Sequence, residues 1–181
     1  CTGLTKVVIP EGIVTVGSRA FRDCSKLVNV TLPSTLEKVD KQAFKDCVYL
    51  RKMTLPEALT EFAAEAFKGC TRLEIETFNT AGKKVWGDVF YGVTIEEVVI
   101  DETFYAVDPR AGWTNNGPFR GTVIETISFA DGIEKIPDDT FRDCASIESI
   151  EIPDTVKSIG LGAFAWSQLL DEITIPDGVT S

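Results

Sequence analysis

Cys1, Cys24, Cys47 and Cys70 stand 23 residues apart, and Cys144 is the fifth and last cysteine of the chain. Thiols at a fixed interval could bind a metal, form disulfides or act as nucleophiles. A zinc site needs Cys or His side chains that converge on one point. This chain has no histidine and one cysteine per interval, so neither a metal site nor a cofactor is expected. The missing histidine also removes the usual general base for a Ser or Cys nucleophile. Asp138, Asp139 and Asp143 are close in sequence but fall at cap and turn positions, where solvated structural carboxylates are expected. "GLGAF" at 160–164 carries a lone G-x-G that fits no dinucleotide fingerprint, and no P-loop is present. No catalytic constellation emerges, and no enzymatic activity is expected.

Contact chemistry is better represented. "DPRAGWTNNGP" at 108–118 sets Trp113 among turn residues, with Asn115 and Asn116 offering amide donors and acceptors and tolerating left-handed backbone. Trp86, Tyr91 and Tyr105 fall on neighbouring columns. With Arg110, Trp113, Asn115 and Asn116 they make the mixture of rings, guanidinium and amides expected of a protein or sugar contact site. The alternative is that Trp113 folds back over an irregular part of the core.

These residues need a scaffold, and the phenylalanines define it. Phe21, Phe44, Phe67, Phe90, Phe119, Phe141 and Phe164 are separated by 23, 23, 23, 29, 22 and 23 residues. A period of this size marks a solenoid in which each repeat is one coil stacked on the last. Within a coil, Leu27, Val30 and Leu32 of "LVNVTLP" predict a strand with one buried face. Pro33, like Pro10, Pro56, Pro153 and Pro176, then ends the strand because proline has no N–H to donate. Leu36 and Val39 predict a second, shorter strand. Ala20, Phe21 and Cys24 are at helical spacing behind Ser18, which predicts one helical turn with Ser18 as its N-cap.

Coils paired strand to strand lie about 4.7 to 4.9 Å apart, so seven of them make a rod on the order of 35 Å long. Identical side chains become ladders: the phenylalanines an aromatic spine, the cysteines a column of small apolar groups beside it. Parallel Cβ vectors give neighbouring cysteines a poor disulfide torsion, so buried free thiols are expected, as suits a reducing or anaerobic setting. In the 29-residue interval, Phe104 and Val107 keep the spacing of the second strand. Twelve residues rather than five then separate Val107 from Phe119, which places a loop insertion at 108–118. The same register sets Trp86 in the column of Asp108, beside that loop.

"AFRDCSKLVNVTLPSTLEKVD" resembles the BspA-type leucine-rich repeat in its A-F-x-x-C phrase and its strand ending in proline, and the resemblance runs along essentially the whole chain. Departures occur around the long interval: Val93, Thr122 and Ser167 replace the cysteine, and Asn79, Asp101 and Ala130 the proline. The resemblance implies an α/β repeat, a right-handed solenoid of about seven coils of 23 residues with parallel strands and one short helical turn per coil. It also implies a bacterial or protist protein at the cell surface or outside the cell, with adhesion to host proteins or other cells as its role. The expected organisation is one solenoid over 1–181, cut from a longer array. The expected partner is an extracellular or host-surface protein, or a glycan, bound by a monomer; a passive stalk is the competing reading.

Two further surfaces repeat. The outward columns of the main strands are expected to run from Lys6 through Lys52, Ile75 and Glu97 to Glu172, and from Val8 through Thr54 and Thr77 to Thr174. A basic column, Arg22, Lys45, Lys68, Arg120 and Arg142, runs along the helical edge beside Asp23, Asp46 and Asp143, where modest exposed salt links are expected. The net charge of -10 argues against nucleic acid and anionic membrane surfaces as partners. No apolar run reaches the length of a membrane-spanning helix.

Overall fold

The computed structural model describes residues 1, 3–106 and 116–181. The chain winds as a parallel β-solenoid of about seven turns. Numbered along the chain, its strands fall on two faces and alternate between them except at β4 and β5. The main face carries β1 (Lys6–Val8), β3 (Asn29–Thr31), β6 (Glu74–Asn79), β8 (Thr94–Ile100), β10 (Val123–Phe129), β12 (Ser149–Glu151) and β14 (Glu172–Thr174). The second face carries β2 (Thr15–Val16), β4 (Lys38–Val39), β5 (Glu61–Phe62), β7 (Lys84–Val85), β9 (Tyr105–Ala106), β11 (Lys135–Ile136) and β13 (Ser158–Ile159). All pairings are parallel and join successive coils, as in Lys6 with Asn29 and Thr15 with Lys38.

The core is the spine the sequence predicts. Phe44, Phe67, Phe90, Phe119 and Phe141 are fully buried. Ring centroids are 5.2 Å apart for Phe21 and Phe44, 5.3 Å for Phe44 and Phe67, 6.1 Å for Phe67 and Phe90, and 6.4 Å for Phe90 and Phe119, all nearly coplanar. Phe21 and Phe164, on the outer coils, are only partly buried.

The expected helical turn does not form, and the backbone shows why. Two residues per coil are left-handed, two positions before the phenylalanine and two after it: Arg19 (φ 59) and Asp23 (φ 57), Gln42 (φ 57) and Asp46 (φ 60), Glu65 (φ 59) and Gly69 (φ 79). A left-handed residue every fourth position breaks any helix. Each coil instead turns two successive corners. Alternate N–H groups then point along the solenoid: Phe21 N donates to Ala43 O at 2.8 Å, Phe44 N to Ala66 O at 2.8 Å, and Phe141 N to Ala163 O at 2.7 Å. The turn edge is thus a third backbone ladder. Ser18 is no N-cap; its hydroxyl donates to Lys41 O on the next coil at 3.1 Å.

The cysteine column does more than fill space. Cys47 Sγ donates to Phe21 O and Cys70 Sγ to Phe44 O, both at 3.1 Å, so each thiol ties its coil to the one before. That explains two of the three replacements, since Thr122 Oγ1 donates to Phe90 O at 3.2 Å and Ser167 Oγ to Phe141 O at 2.7 Å, while Val93 keeps only the packing. Cys24, Cys47, Cys70 and Cys144 are buried free thiols, while Cys1 is exposed. The neighbouring Cys47 thiol and burial hold the Cys70 thiol well above the ordinary value, and burial pushes the Cys144 thiol up. A protonated, buried thiol is a poor nucleophile. Titration of the native protein with a thiol-specific disulfide reagent is expected to label one cysteine per chain, and all five only in denaturant.

The main sheet is in three pieces, β1–β3, β6–β8–β10 and β12–β14. Its register departs from a uniform 23-residue step at β6. The core residues after Phe44 are Leu50, Met53 and Leu55, at 6, 9 and 11, whereas those after Phe67 are Leu73, Ile75 and Phe78, at 6, 8 and 11. Ile75 is therefore core rather than outward, and Thr77 and Asn79 face out, paired with Glu97 and Val99. The return from Phe78 to Val85 is seven residues, the same as from Leu55 to Phe62, so the period of 23 is kept and hides the one-position shift at Ile75.

The second sheet breaks between β9 and β11. Elsewhere the residue after the second strand donates back to the previous coil: Asp40 N to Val16 O at 2.9 Å, Trp86 N to Phe62 O at 3.0 Å, Gly160 N to Ile136 O at 2.8 Å. Pro137 occupies that position after β11 and has no N–H to give. Ala106 pairs with Val85, while Val107 and Asp108, the latter expected to share the column of Trp86, lie outside the described residues.

Candidate functional site

Of the sequence-predicted site residues, Trp86, Tyr91, Tyr105 and Asn116 can be placed; Arg110, Trp113 and Asn115 lie outside the described residues. The four fall into two groups.

Tyr91 and Asn116 are joined through a residue the sequence reading passed over. Asp88 is 1% exposed and left-handed (φ 59). Its carboxylate accepts from Lys68 Nζ at 2.7 Å, Asn116 Nδ2 at 3.2 Å and Arg120 Nη1 at 3.3 Å. The two cations also flank the Tyr91 ring, with Lys68 Nζ 5.1 Å and the Arg120 guanidinium carbon 5.5 Å from its centroid. Below it, a Cβ on Gly121 would come within 2.5 Å of the ring, so glycine there lets tyrosine lie flat. Tyr91 remains 40% exposed, an aromatic surface locked between fixed charges. Burial works against the Lys68 ammonium, but the Asp88 carboxylate outweighs it and raises its pKa above the ordinary lysine value.

Trp86 and Tyr105 are placed on either side of Lys84. Lys84 pairs with Tyr105 across β7 and β9, and its Nζ lies 5.9 Å from the Trp86 ring centroid. Tyr105 is 57% exposed, while Trp86 packs against the core. The indole Nε1 of Trp86 is buried without a hydrogen-bond partner among the described residues. An open groove of about 510 Å³ runs beside Tyr105 where the second sheet is broken, between Glu102, Thr103 and Phe104 on one coil and Lys135, Pro137 and Asp138 on the next.

The signal for Asp88 was a spacing. The first three members of the basic column reach 20 residues forward to the first corner of the next coil: Arg22 Nη1 to Gln42 Oε1 at 3.0 Å, Lys45 Nζ to Glu65, and Lys68 Nζ to Asp88. The basic stripe is therefore largely paired, mostly with the preceding column of corners rather than with the adjacent aspartates. Burial raises the Glu65 pKa, but Lys45, Gln42 and Lys68 outweigh it, so the carboxyl titrates below its ordinary 4.5. A depressed carboxyl pKa contributes stability that is complete above the unfolded-state pKa and lost as pH falls through the folded one. The melting temperature is expected to fall as pH drops below about 4.5, and Glu65→Gln to flatten part of that slope in a calorimetric pH series.

The main sheet carries a second uncompensated feature. With the register corrected, Glu76, Glu96, Glu125, Glu148 and Asp171 share one outward column. Among the described residues, no group of three or more Cys, Asp or Glu side chains is arranged to hold a metal ion, and no helix is long and apolar enough to cross a membrane. Nothing in these groups arranges a nucleophile beside a base. The arrangement supports contact.

A stack of short parallel strands with a spine of leucine-type and phenylalanine positions defines a leucine-rich-repeat solenoid. The family model for the BspA type leucine rich repeat region matches in six copies over residues 1–112 and 113–181, and the chain belongs to that family. Among solved structures it is similar to a leucine-rich repeat protein from Bacteroides ovatus ATCC 8483, with 24% identity and a TM-score of 0.67 over 97% of this chain and 46% of that one. It is also similar to the T. pallidum leucine rich repeat protein, with 27% identity and a TM-score of 0.55 over 96% of this chain and 71% of that one. A leucine rich cell surface protein from Faecalibacterium prausnitzii A2-165 aligns with 23% identity and a TM-score of 0.47, over 99% of this chain and 56% of the other. The chain thus spans about half the length of the first and last of these. No curated protein matches it.

Proposed function

We propose that this solenoid is a non-catalytic recognition module at a cell surface, holding an extracellular protein or a glycan by side-chain contact. The observation that carries the reading is Tyr91, half-exposed and fixed between Lys68 and Arg120 over a buried carboxylate. A ring already immobilised loses little conformational entropy when a partner covers it, and Tyr and Arg are over-represented among residues that dominate binding energy. Surface location and an adhesive role follow from the family's habits, and Arg110, Trp113 and Asn115 are proposed as part of the same contact.

The test is an immobilised array of extracellular-matrix proteins and surface glycans, probed with three chains: the parent, Tyr91→Ala with Tyr105→Ala, and one with 108–115 shortened. A ligand captured by the parent and lost by either variant, with the fold intact by circular dichroism, supports the reading. Capture that survives both removes the site from these residues. Silence from all three leaves a passive stalk as the better account.

A further inference from the structure

Several cations are paired with carboxylates on the next coil, Lys38 with Glu61 at 3.0 Å and Lys68 with Asp88 at 2.7 Å. One group of cations is treated differently. Lys26, Arg51, Lys52 and Arg72 stand exposed on three successive coils, and among the described residues none of them makes an ion pair. Arg51, Lys52, Thr71 and Arg72 line an open cleft of about 510 Å³ together with one carboxylate, Glu74. The guanidinium carbon of Arg72 lies 4.3 Å from the ring centroid of Tyr49, which is 45% exposed. A stacked guanidinium is held in place with its N–H edge free, and that edge matches an oxygen anion with two parallel hydrogen bonds. In a chain of net charge -10, a cleft lined by three cations without an ion-pair partner, one of them stacked on an aromatic ring, has no evident structural role.

We propose that this cleft binds a short acidic saccharide, with its carboxylate or sulfate held by Arg51, Lys52 and Arg72 and a sugar face against Tyr49. The size limit comes from the neighbouring coils. At physiological ionic strength charges are screened over about 8 Å, so the distant acidic groups are weakly felt at the cleft. The carboxylate column that opens at Glu76, however, begins on the coil after Lys52 and runs on through Glu96 and Glu125. A long polyanion such as nucleic acid, or an anionic membrane, would meet the whole of that column; an acidic sugar of two or three rings would meet only Glu74 and the column's first member, Glu76. The saccharide is favoured over an acidic peptide because a ring beside a forked cation suits a sugar that carries both C–H faces and an anion. The site shares no residue with the Tyr91 group, so its failure leaves the preceding reading intact.

The experiment is titration calorimetry of the full chain against trigalacturonic acid, a sulfated heparin tetrasaccharide, neutral maltotriose and triglutamate, at low and moderate salt. One or both acidic saccharides are expected to bind, several-fold more weakly at the higher salt, and the two together distinguish carboxylate from sulfate recognition. Arg51→Ser with Arg72→Ser is expected to weaken binding at least ten-fold without lowering the melting temperature, and Tyr49→Ala to weaken it less. Lys157→Ser, on another face, is expected to change nothing. Failure of both acidic saccharides to bind, binding that survives the double substitution, or equal binding of maltotriose or triglutamate would each overturn the proposal.

Discussion

Phe67→Ala is expected to lower the unfolding free energy by about 3 to 5 kcal/mol, the usual cost of emptying a buried phenylalanine site. Phe67 is fully buried and stacks on Phe44 at 5.3 Å and on Phe90 at 6.1 Å. Its removal leaves a void bounded by two rings and by two backbone ladders that cannot close in independently. For a chain of this size each kcal/mol moves the melting temperature by roughly 2 to 4 °C, so a loss on the order of 10 °C is expected. Because each coil touches only its neighbours, the lesion is also expected to split the urea transition, the coils on either side of Phe67 melting separately. Phe21→Ala, at a partly buried end of the stack, is the control and is expected to cost clearly less. Equal costs for both would mean that the spine is not the stabilising core.

The second large effect is expected at Asp88. Removing one partner of a buried ion pair strands the other charges, and typical losses are about 3 to 5 kcal/mol. Lys68 and Arg120 keep partial access to water, with side chains 26% and 39% exposed, so a loss of about 2 to 4 kcal/mol is expected for Asp88→Ala. Part of that is backbone, since alanine adopts the left-handed region poorly. Asp88→Asn separates the two contributions, because asparagine tolerates the same backbone and keeps hydrogen-bonding capacity but lacks the charge. The expected order in urea midpoints is parent, then Asn, then Ala. Tyr91 gives a second readout: with Asp88 gone its cations are released, and its ring is expected to become more accessible to nitration. An Asp88→Ala protein as stable as the parent would show that the cluster is only a surface arrangement.

Much of the fold was legible because it is repeated. The phenylalanine period, the strand-ending prolines and the alternation in "LVNVTLP" are each set by one physical requirement met several times over, so a single irregular coil does not obscure them. The turn edge was misread because Ala, Phe and Cys at helical spacing carry the same signal whether or not the backbone is helical. What distinguishes the two cases is the second corner, Asp23, Asp46, Gly69, Gly92, Gly121 and Asp143, where all but one of the coils use residues that tolerate a positive φ. The exception is Trp166, left-handed at φ 65 and 68% exposed, and nothing in the structure explains it. The shift at Ile75 escaped notice because it moves a single core position and leaves the 23-residue period on either side unchanged. Among the site residues, Tyr91 and Asn116 were found by type and column. Asp88, which joins them, was hidden because its partners lie 20 residues before it and 28 and 32 after it.

The three ladders along the solenoid also say how it would respond to a mechanical load. Their N–H to O=C bonds run from coil to coil, nearly along the long axis, so tension between the two ends pulls those bonds lengthwise and concentrates on one coil boundary at a time. A boundary that opens releases 23 residues, about 80 Å of extended chain, in place of a stacking distance of about 4.8 Å. The remaining coils stay wound. An array of this kind is expected to lengthen under tension in discrete steps, one coil at a time.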